Sequence, residues 1–230
     1  MRNCCFLLLL SLAAPGAQAE PPPRIEVTYE LQRNGSAIAD VTERLEYDKA
    51  SGSYQLTETW EGRGLYALLG SARRVSRGTI VDGVLRPSEF FDERSGRDTA
   101  RAWFDWQNMR LTLQYKGKRR IKGLEPGGQD RLSFLLALSL LPGHADTASY
   151  QIADGKGTSH HRYEVRGRER IRVPAGEFDT VRVERARKPG DKDRVVLWLA
   201  AELGYIPVRL IDLEEDGARY EQRATRISRP

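Results

Sequence analysis

The sequence predicts a mainly β fold: a single antiparallel open barrel or spiral sheet of roughly 11–12 strands, with one buried helix near residues 130–141. Three observations support this fold. Apolar and polar residues alternate with period two along most of the chain, which gives each strand one dry and one wet face. Turn signals such as Asn34-Gly35 recur between the alternating segments. Helical patterns do not separate the strands, so a parallel α/β sheet is not expected.

The N-terminal residues 1–19 have the features of a secretory signal peptide. Arg2 gives a positive start, the apolar stretch 4–14 is too short to span a bilayer comfortably, and Ala17-Gln18-Ala19 offers small residues to a signal peptidase. We therefore expect cleavage after Ala19, export to the periplasm, and no stable membrane span in the mature chain. A retained N-terminal anchor helix is the alternative.

Composition narrows the class of protein. Of the 230 residues, 40% are hydrophobic and 30% are charged, which fits neither a membrane bundle nor a disordered polyampholyte. The two cysteines, Cys4 and Cys5, lie at the start of the apolar stretch of the signal peptide and not after it, so neither a lipid anchor nor a thiol-based site is expected in the mature protein. A net charge of +5 is too small to indicate nucleic-acid binding by an exported protein.

Residues 20–23 form a Pro-rich leader, and residues 24–230 are predicted to fold as a single β-rich domain because no linker or fixed repeat divides them. The strand patterns occur, in chain order, at 25–31, 37–47, 54–60, 79–85, 100–106, 111–115, 150–165, 171–183, 194–199, 208–213 and 219–227. The cation-rich segment 116–122 is predicted to be a loop. Pro174-Ala175-Gly176 is predicted to be a structural turn, since proline fixes φ and glycine accepts a left-handed conformation.

The segment 130–141 lacks β-branched residues and is rich in leucine, which predicts a helix. Asp130 is expected to cap its start, and Pro142-Gly143 to end it. Because apolar residues lie on most of its sides, the helix must be buried on most sides. We predict that it lies inside the curved sheet; a helix between two domains is the alternative.

Catalytic motifs are absent from the sequence, and we predict a non-enzymatic protein without a cofactor or metal. His144 is expected on a surface loop, while His160 and His161 are neighbours on a strand and therefore point to opposite faces. Paired carboxylates such as Glu58 and Glu61, or Asp105 beside Trp103 and Trp106, could act on a sugar, but the sequence alone does not bring two carboxyl groups together. A sugar-acting hydrolase is therefore the weakest of three functional hypotheses.

Two groups of cations invite a binding role. Five cations fall within residues 116–122, among them Arg119 and Arg120. Four arginines recur with period two at 166–172 and would line one face of a strand. Such a ladder could grip phosphates or carboxylates, but pairing with carboxylates of the neighbouring strand is the favoured interpretation.

Residues 171–183, with the sequence Ile-Arg-Val-Pro-Ala-Gly-Glu-Phe-Asp-Thr-Val-Arg-Val, resemble the strand-turn-strand signature of an exported proteobacterial family called domain of unknown function 3108. Residues 196–209 resemble its closing signature, and 84–87 and 130–133 also fit. The resemblance implies an open or spiral antiparallel sheet in the periplasm of a Gram-negative cell. The implied fold is similar in general shape to that of lipoprotein carriers and envelope-integrity proteins, whose concave face can hold acyl chains or a peptide. No catalytic residues are carried over.

The leading hypothesis is a cell-envelope protein that binds an apolar or amphipathic ligand, such as a lipid, an acyl chain or a peptide, in its curved sheet. Phe134, Leu135 and Leu138 would line the site, and Arg119 and Arg120 would meet an anionic headgroup at its rim. The alternative is a scaffold with a filled core that docks another envelope protein. A hollow beside the helix favours the first hypothesis and a filled interior favours the second.

Overall fold

The structure is a computed structural model that describes residues 22–141, 145–187 and 190–229 of the chain. Within these ranges one helix and a sheet of fifteen strands are present, in the spatial order β8-β7-β6-β5-β4-β3-β2-β1-β15-β14-β13-β12-β11-β10-β9. The elements are β1 (Arg24–Arg33), β2 (Ser36–Asp48), β3 (Ser53–Gly62), β4 (Ser71–Val81), β5 (Val84–Arg94), β6 (Ala100–Asp105), β7 (Arg110–Tyr115), β8 (Lys118–Gly123), β9 (Gln129–Asp130), α1 (Ser133–Ser139), β10 (Thr147–Ala153), β11 (Thr158–Val173), β12 (Gly176–Arg185), β13 (Arg194–Ala200), β14 (Ile206–Leu213) and β15 (Arg219–Ser228).

The predicted fold class is confirmed, but the sheet has more strands than the predicted 11–12. The segment 116–122, predicted to be a loop, contributes most of the edge strand β8. All six residues of β8 are exposed, so apolar alternation gave no signal for it. The short strand β9 also lacked a signal, and β11 is one strand of 16 residues with a bulge between Val165 and Gly167. The signal peptide, predicted for 1–19, lies outside the described residues.

Neighbouring strands are antiparallel except for β9, which pairs parallel to β10. As a result β1, β3, β5 and β7 run toward the same end of the sheet, and so do β10, β12 and β14 on the other side of β15. The turns that follow these seven strands therefore lie at one end, which we call the mouth end. The sheet curves without closing, and Gln129 of β9 donates a hydrogen bond from Nε2 to the carbonyl of Leu85 on β5, 3.0 Å away.

Helix α1 lies on the concave side of the sheet, as predicted, and is shorter than the expected 130–141. Leu136 and Ala137 pack in one apolar cluster with residues of β1 and β2, while Leu138 packs in a second with residues of β12 and β13. The N-cap position is Leu132 and not the predicted Asp130, but Oδ1 of Asp130 accepts the backbone N–H groups of Leu132 and Ser133 at the start of the helix, each at 2.8 Å. The predicted stop at 142–143 lies outside the described residues.

The side of the helix that packs on the first strands is largely filled. Between α1 and the first strands remains a cavity of about 30 Å³, bordered by Ile25, Val27, Leu136 and Ile206. This is about the volume of a single water molecule in liquid water, and it holds no acyl chain. Space for a ligand lies further along the sheet, toward the mouth end.

Candidate functional site

A cavity of about 580 Å³ opens at the mouth end, between the two halves of the curved sheet. We call it the mouth cavity. Leu31 and Trp60 border it on one side, Leu210 and Tyr220 on the other, and the turn residue Asp154 lies at its edge. Its volume falls within the range of about 300–1,000 Å³ that is usual for small-molecule sites. Its lining combines charged and apolar side chains, which suits an amphipathic ligand.

Strand register explains why charges meet in this cavity. Glu43 of β2 is paired directly with Glu58 of β3, Glu58 with Arg74 of β4, and Arg74 with Asp92 of β5. Residues directly opposite each other on antiparallel strands project from the same face. The same row begins with the buried Val27 of β1, which identifies this face as the interior. We call Glu43, Glu58, Arg74 and Asp92 the charged row.

Arg74 holds the middle of the charged row. One of its terminal nitrogens lies 2.5 Å from Oε1 of Glu58, and its Nε lies 3.4 Å from Oδ2 of Asp92. Arg94, two residues beyond Asp92 on β5, lies 2.9 Å from the same Oδ2. The indole N–H of Trp60 donates to Glu58 at 2.6 Å, and the guanidinium carbon of Arg74 lies 5.1 Å from the Trp60 ring centroid. The two carboxylates are thus held by several donors, as buried charges must be.

The two ends of the row differ in protonation. Burial and the nearby charge of Glu58 raise the pKa of Glu43 to about 8, although Arg74 acts in the opposite direction. Glu43 therefore carries its proton at neutral pH. Burial also disfavours the charge of Asp92, but the hydrogen bond from Arg94 and the charge of Arg74 outweigh it and hold the pKa of Asp92 below its usual value. The row thus contains one neutral acid, which can donate a hydrogen bond, and ionised carboxylates that are already paired.

Arg131, just before α1, brings a further cation to the charged row. Its side chain is exposed to the cavity, and within the described part of the chain no carboxylate forms an ion pair with it. Burial by the cavity walls and the charge of Arg74 lower its pKa, yet a guanidinium stays protonated in proteins. With Glu43 neutral, three arginines (Arg74, Arg94 and Arg131) face two carboxylates (Glu58 and Asp92). This group of five side chains, taken apart from the rest of the cavity lining, has a net charge of +1.

The opposite wall of the mouth cavity carries apolar and aromatic side chains beside the charged residues Arg185, Asp212 and Glu214. Phe134 of α1 stacks on Tyr163 of β11 with ring centroids 5.8 Å apart, and Leu135 lies beside them in the lining. His161, two residues before Tyr163, also lines the cavity, and burial together with Arg185 lowers its pKa. His161 is therefore mainly neutral at pH 7 and adds no charge to this wall.

The predicted site residues are divided by the structure. Phe134 and Leu135 line the mouth cavity, whereas Leu138 is fully buried in the apolar core and does not. Arg119 and Arg120 lie on the exposed edge strand β8 and are not among the cavity-lining residues. The guanidinium of Arg119 lies 5.7 Å from the ring centroid of Trp103. Their placement gives no support to the predicted rim contact with a headgroup.

The charged residues that line the cavity include Glu43, Glu58, Arg74, Arg94 and Arg131, and of these five the sequence analysis named only Glu58, as a possible sugar-acting carboxylate. A signal was present for two of them. Glu43 lies between Val41 and Leu45, and Glu58 between Leu56 and Trp60, so each acid occupies an inward position of an otherwise apolar alternation. A carboxylate at an inward position must be neutral or paired, which marks a candidate site.

The other candidate residues take structural or exposed positions. His160 is exposed and lies 2.8 Å from Oε1 of Glu125, while His161 is half-buried, so the predicted opposite orientation is confirmed. His144 lies outside the described residues. Asp105 lies at the end of β6, near the turn that leads to β7, where its carboxylate accepts hydrogen bonds from Asn108. In the ranges that the structure describes, no three His, Cys, Asp or Glu side chains form a metal-binding group.

Two members of the arginine ladder pair with carboxylates of the neighbouring strand, as the favoured interpretation expects, whereas Arg166 pairs with Glu164 of its own strand. Arg170 lies 3.4 Å from Glu177 and 3.9 Å from Asp179, and Arg172 also pairs with Glu177. The bulge after Val165 interrupts the period-two series, so the four arginines do not form one uninterrupted row. These side chains are exposed on the outer part of the β11–β12 hairpin.

Among the described helices, none has the length and apolar composition needed to cross a membrane. No curated protein matches the chain. Solved structures do: a beta-barrel-like protein of domain of unknown function DUF1849 from Brucella abortus shares 10% sequence identity over 90% of this chain and 98% of that chain, with a TM-score of 0.56. This likeness supports the barrel-like fold and nothing about activity.

Two further structures are less similar. A candidate exported protein with a YmcC-like fold from Bacteroides fragilis shares 12% identity over 90% of this chain and 96% of that chain, with a TM-score of 0.40. A candidate lipoprotein from Parabacteroides distasonis shares 12% identity over 90% of this chain and 97% of that chain, with a TM-score of 0.35. A family model matches residues 24–221, nearly the whole described chain, and this protein accordingly belongs to the family designated protein of unknown function DUF3108.

Proposed function

We propose that this protein is a non-enzymatic, exported binding protein of the cell envelope whose mouth cavity holds an amphipathic ligand with one anionic head, such as a fatty acid or another acyl-chain lipid. One observation carries the proposal: a cavity of about 580 Å³ is lined both by Arg131, which forms no ion pair with the described residues, and by the apolar side chains of Phe134, Leu135 and Leu210. Features of a signal peptide at residues 1–19 support export.

The lining residues divide between head and tail. Arg131 offers an unshared guanidinium, and such a group binds carboxylates and phosphates through two parallel hydrogen bonds. The protonated carboxyl group of Glu43 can donate a further hydrogen bond to an anionic oxygen. Phe134, Leu135 and Leu210 offer apolar surface for the tail. This assignment replaces Arg119 and Arg120 with residues inside the cavity.

The geometry of Glu58 argues against the hydrolase hypothesis. Its carboxylate already accepts hydrogen bonds from Trp60 and Arg74, at 2.6 and 2.5 Å, and its side chain is buried. A catalytic carboxylate must be free to reach the bond that it cleaves or to exchange a proton with it. Glu58 is instead placed to neutralise Arg74, which is a structural role.

The proposal is tested by ligand binding in solution. Native mass spectrometry of the purified mature chain should detect a co-purifying lipid, and a fluorescent fatty acid should bind with saturation. Arg131→Gln should weaken binding of the fatty acid by about 10- to 100-fold, because a charge-assisted hydrogen bond contributes about 1.5–3 kcal/mol. The methyl ester of the same fatty acid should bind both proteins equally, since it offers no negative charge.

Arg120→Gln is the matched control, because Arg120 is exposed on β8 and lies outside the cavity lining. It should bind the fatty acid as the parent protein does. Absence of any bound lipid and of saturable fatty-acid binding would refute the proposal and favour the scaffold hypothesis.

A further inference from the structure

The turn between β3 and β4 exposes two large apolar side chains at the mouth end. It forms a 3₁₀ helix, Gly64–Leu69, in which Leu65 is 83% exposed and Leu68 is 84% exposed. Residues three apart lie above each other on a 3₁₀ helix, so these two leucines project from the same side. No acidic residue lies in this helix. Leucines this exposed are expected to meet an apolar partner.

Cations lie in other turns at the same end of the molecule. The adjoining turn 95–98 is tied to the start of β4, where Ser71 donates its backbone N–H to Oγ of Ser95 at 3.0 Å, and it carries the exposed Arg97. The next mouth-end turn along the sheet carries Lys116, whose ammonium lies 5.6 Å from the Tyr115 ring centroid. Lys156, from the turn after β10, lies 4.9 Å from the same ring.

We propose that these residues form a docking surface for an anionic lipid bilayer, and that it turns the mouth cavity toward the membrane. The surface consists of Leu65, Leu68, Arg97, Lys116, Lys118 and Lys156, and we call it the mouth patch. Its four cations are exposed and form no ion pair with the residues that the structure describes. Asp98 is the acid in turn 95–98, and Glu214, Glu215 and Asp216 lie in the turn between β14 and β15 at the same end.

Charge and apolar character together favour a bilayer as the partner. Leucines that enter the interface between headgroups and acyl chains, flanked by cations that meet anionic headgroups, are the features of interfacial membrane binding. Two leucines and a few cations give weak and reversible attachment, which suits a protein that must also leave the surface. The inference rests on the proposed function for its purpose, because a ligand with an acyl chain comes from a membrane, but its test does not depend on a bound ligand.

The experiment is co-sedimentation of the purified mature chain with vesicles of phosphatidylglycerol and phosphatidylethanolamine, and with vesicles of phosphatidylcholine alone. We expect the protein to bind the anionic vesicles at least tenfold more strongly than the phosphatidylcholine vesicles. Binding to the anionic vesicles should weaken in 0.5 M NaCl. Leu65→Ser with Leu68→Ser should reduce binding to anionic vesicles at least tenfold. Lys116→Glu with Lys118→Glu should do the same and should remove the preference for anionic lipid.

The matched control is Val81→Ser with Val84→Ser. These two valines are 41% and 48% exposed and lie beside the Asp82-Gly83 turn at the opposite end of the sheet. This variant should bind vesicles as the parent chain does. The proposal is overturned if the parent chain does not bind anionic vesicles, if the leucine variant binds as well as the parent, or if the valine variant loses as much.

The leucine variant should still bind the fluorescent fatty acid in solution, because neither leucine lines the cavity. This second measurement also shows that the variant is folded. Vesicle binding without fatty-acid binding would support the docking surface and refute the proposed cavity function, so failures of the two proposals are distinguishable.

Discussion

Two sets of arginine–carboxylate pairs cross neighbouring strands of the sheet, one inside the curved sheet and one outside. In the interior, Arg74 lies between Glu58 and Asp92, and the three side chains are between 4% and 6% exposed. On the outer part of the β11–β12 hairpin, the side chain of Arg172 is 82% exposed where it meets Glu177. The paired groups and the strand geometry are alike, so the difference between the two sets is burial.

Burial changes what such a pair does. An exposed pair is screened by solvent and salt, and its removal alters stability by about 0–1 kcal/mol. A buried pair is held by the low dielectric around it, and removal of one member leaves the other charge without compensation, at about 3–5 kcal/mol. The interior set is therefore fixed in place and can shape a binding site, whereas the exterior set mainly keeps the surface solvated.

The largest expected effect is that of Arg74→Ala. It leaves Glu58 and Asp92 buried without their shared cation and should lower the free energy of unfolding by about 3–5 kcal/mol. Urea denaturation followed by circular dichroism measures this loss. Arg77→Ala on the same strand is the control: Arg77 is exposed and lies 3.5 Å from Glu89, and its loss should change stability by about 1 kcal/mol or less.

A compensated variant keeps this test informative if Arg74→Ala does not fold. Replacing Arg74 by Met together with Glu58→Gln and Asp92→Asn removes all three charges at once. Replacing a complete set of buried ions by neutral groups is often tolerated, so this variant should be more stable than Arg74→Ala. If the triple variant were less stable than Arg74→Ala, the three side chains would not act as one electrostatic unit.

A second expected effect concerns pH and Glu43, which faces Glu58, Arg74 and Tyr29. Its pKa of about 8 in the folded protein exceeds the ordinary value of 4.5, so the folded state holds an extra proton between these values. The stabilisation that this extra proton gives the folded state is fully present below pH 4.5, and it is lost as the pH rises to about 8. Glu43→Gln keeps the shape and removes the titration. It should match the parent near pH 4.5 and exceed its unfolding free energy by up to about 4 kcal/mol at pH 8.

Asp130 contributes a separate part of the pH dependence. Burial raises the pKa of its carboxyl group from 3.8 to about 6, against hydrogen bonds from Ser76 and from the backbone of Ser133. Its stabilising contribution is lost between these pH values in the parent and in Glu43→Gln alike. Urea unfolding at several pH values should therefore show a slope below pH 6 in both proteins, and a slope between pH 6 and 8 in the parent alone. An equal slope in both above pH 6 would contradict the assignment to Glu43.

Much of the fold could be predicted from the sequence because the signals are local. Alternation identified the antiparallel strands, and the absence of β-branched residues identified the helix in 130–141. The edge strand β8 could not be identified this way, because all its side chains are exposed and its pairing with β7 is a tertiary property. The length of α1 was overestimated, because Gln129–Asp130 pairs as a strand with β10 instead of joining the helix.

The candidate site was only partly predictable, because it depends on register between strands. Phe134 and Leu135 were predicted from their apolar character to contact a ligand; they border the mouth cavity, and their role in binding stays a prediction. Glu43 and Arg74 lie 31 residues apart in the sequence, and only the pairing of β2, β3 and β4 puts them in one row. Cations from 116–122 were predicted to be site residues instead, because they are close together in the sequence. Residues that meet only through the pairing of strands cannot be recognised in this way.

The smallest expected effect belongs to the exterior pairs. Arg172→Gln removes the partner of Glu177, but Arg170 lies 3.4 Å from the same carboxylate and both side chains stay in solvent. The loss of unfolding free energy should be about 1 kcal/mol or less. It should shrink further in 1 M NaCl, where the Debye length is about 3 Å and salt screens charges that lie farther apart. Urea denaturation at low and high salt provides the measurement. A loss as large as that of Arg74→Ala would mean that burial does not separate the two sets, and that the β11–β12 hairpin carries a function that its exposed charges do not reveal.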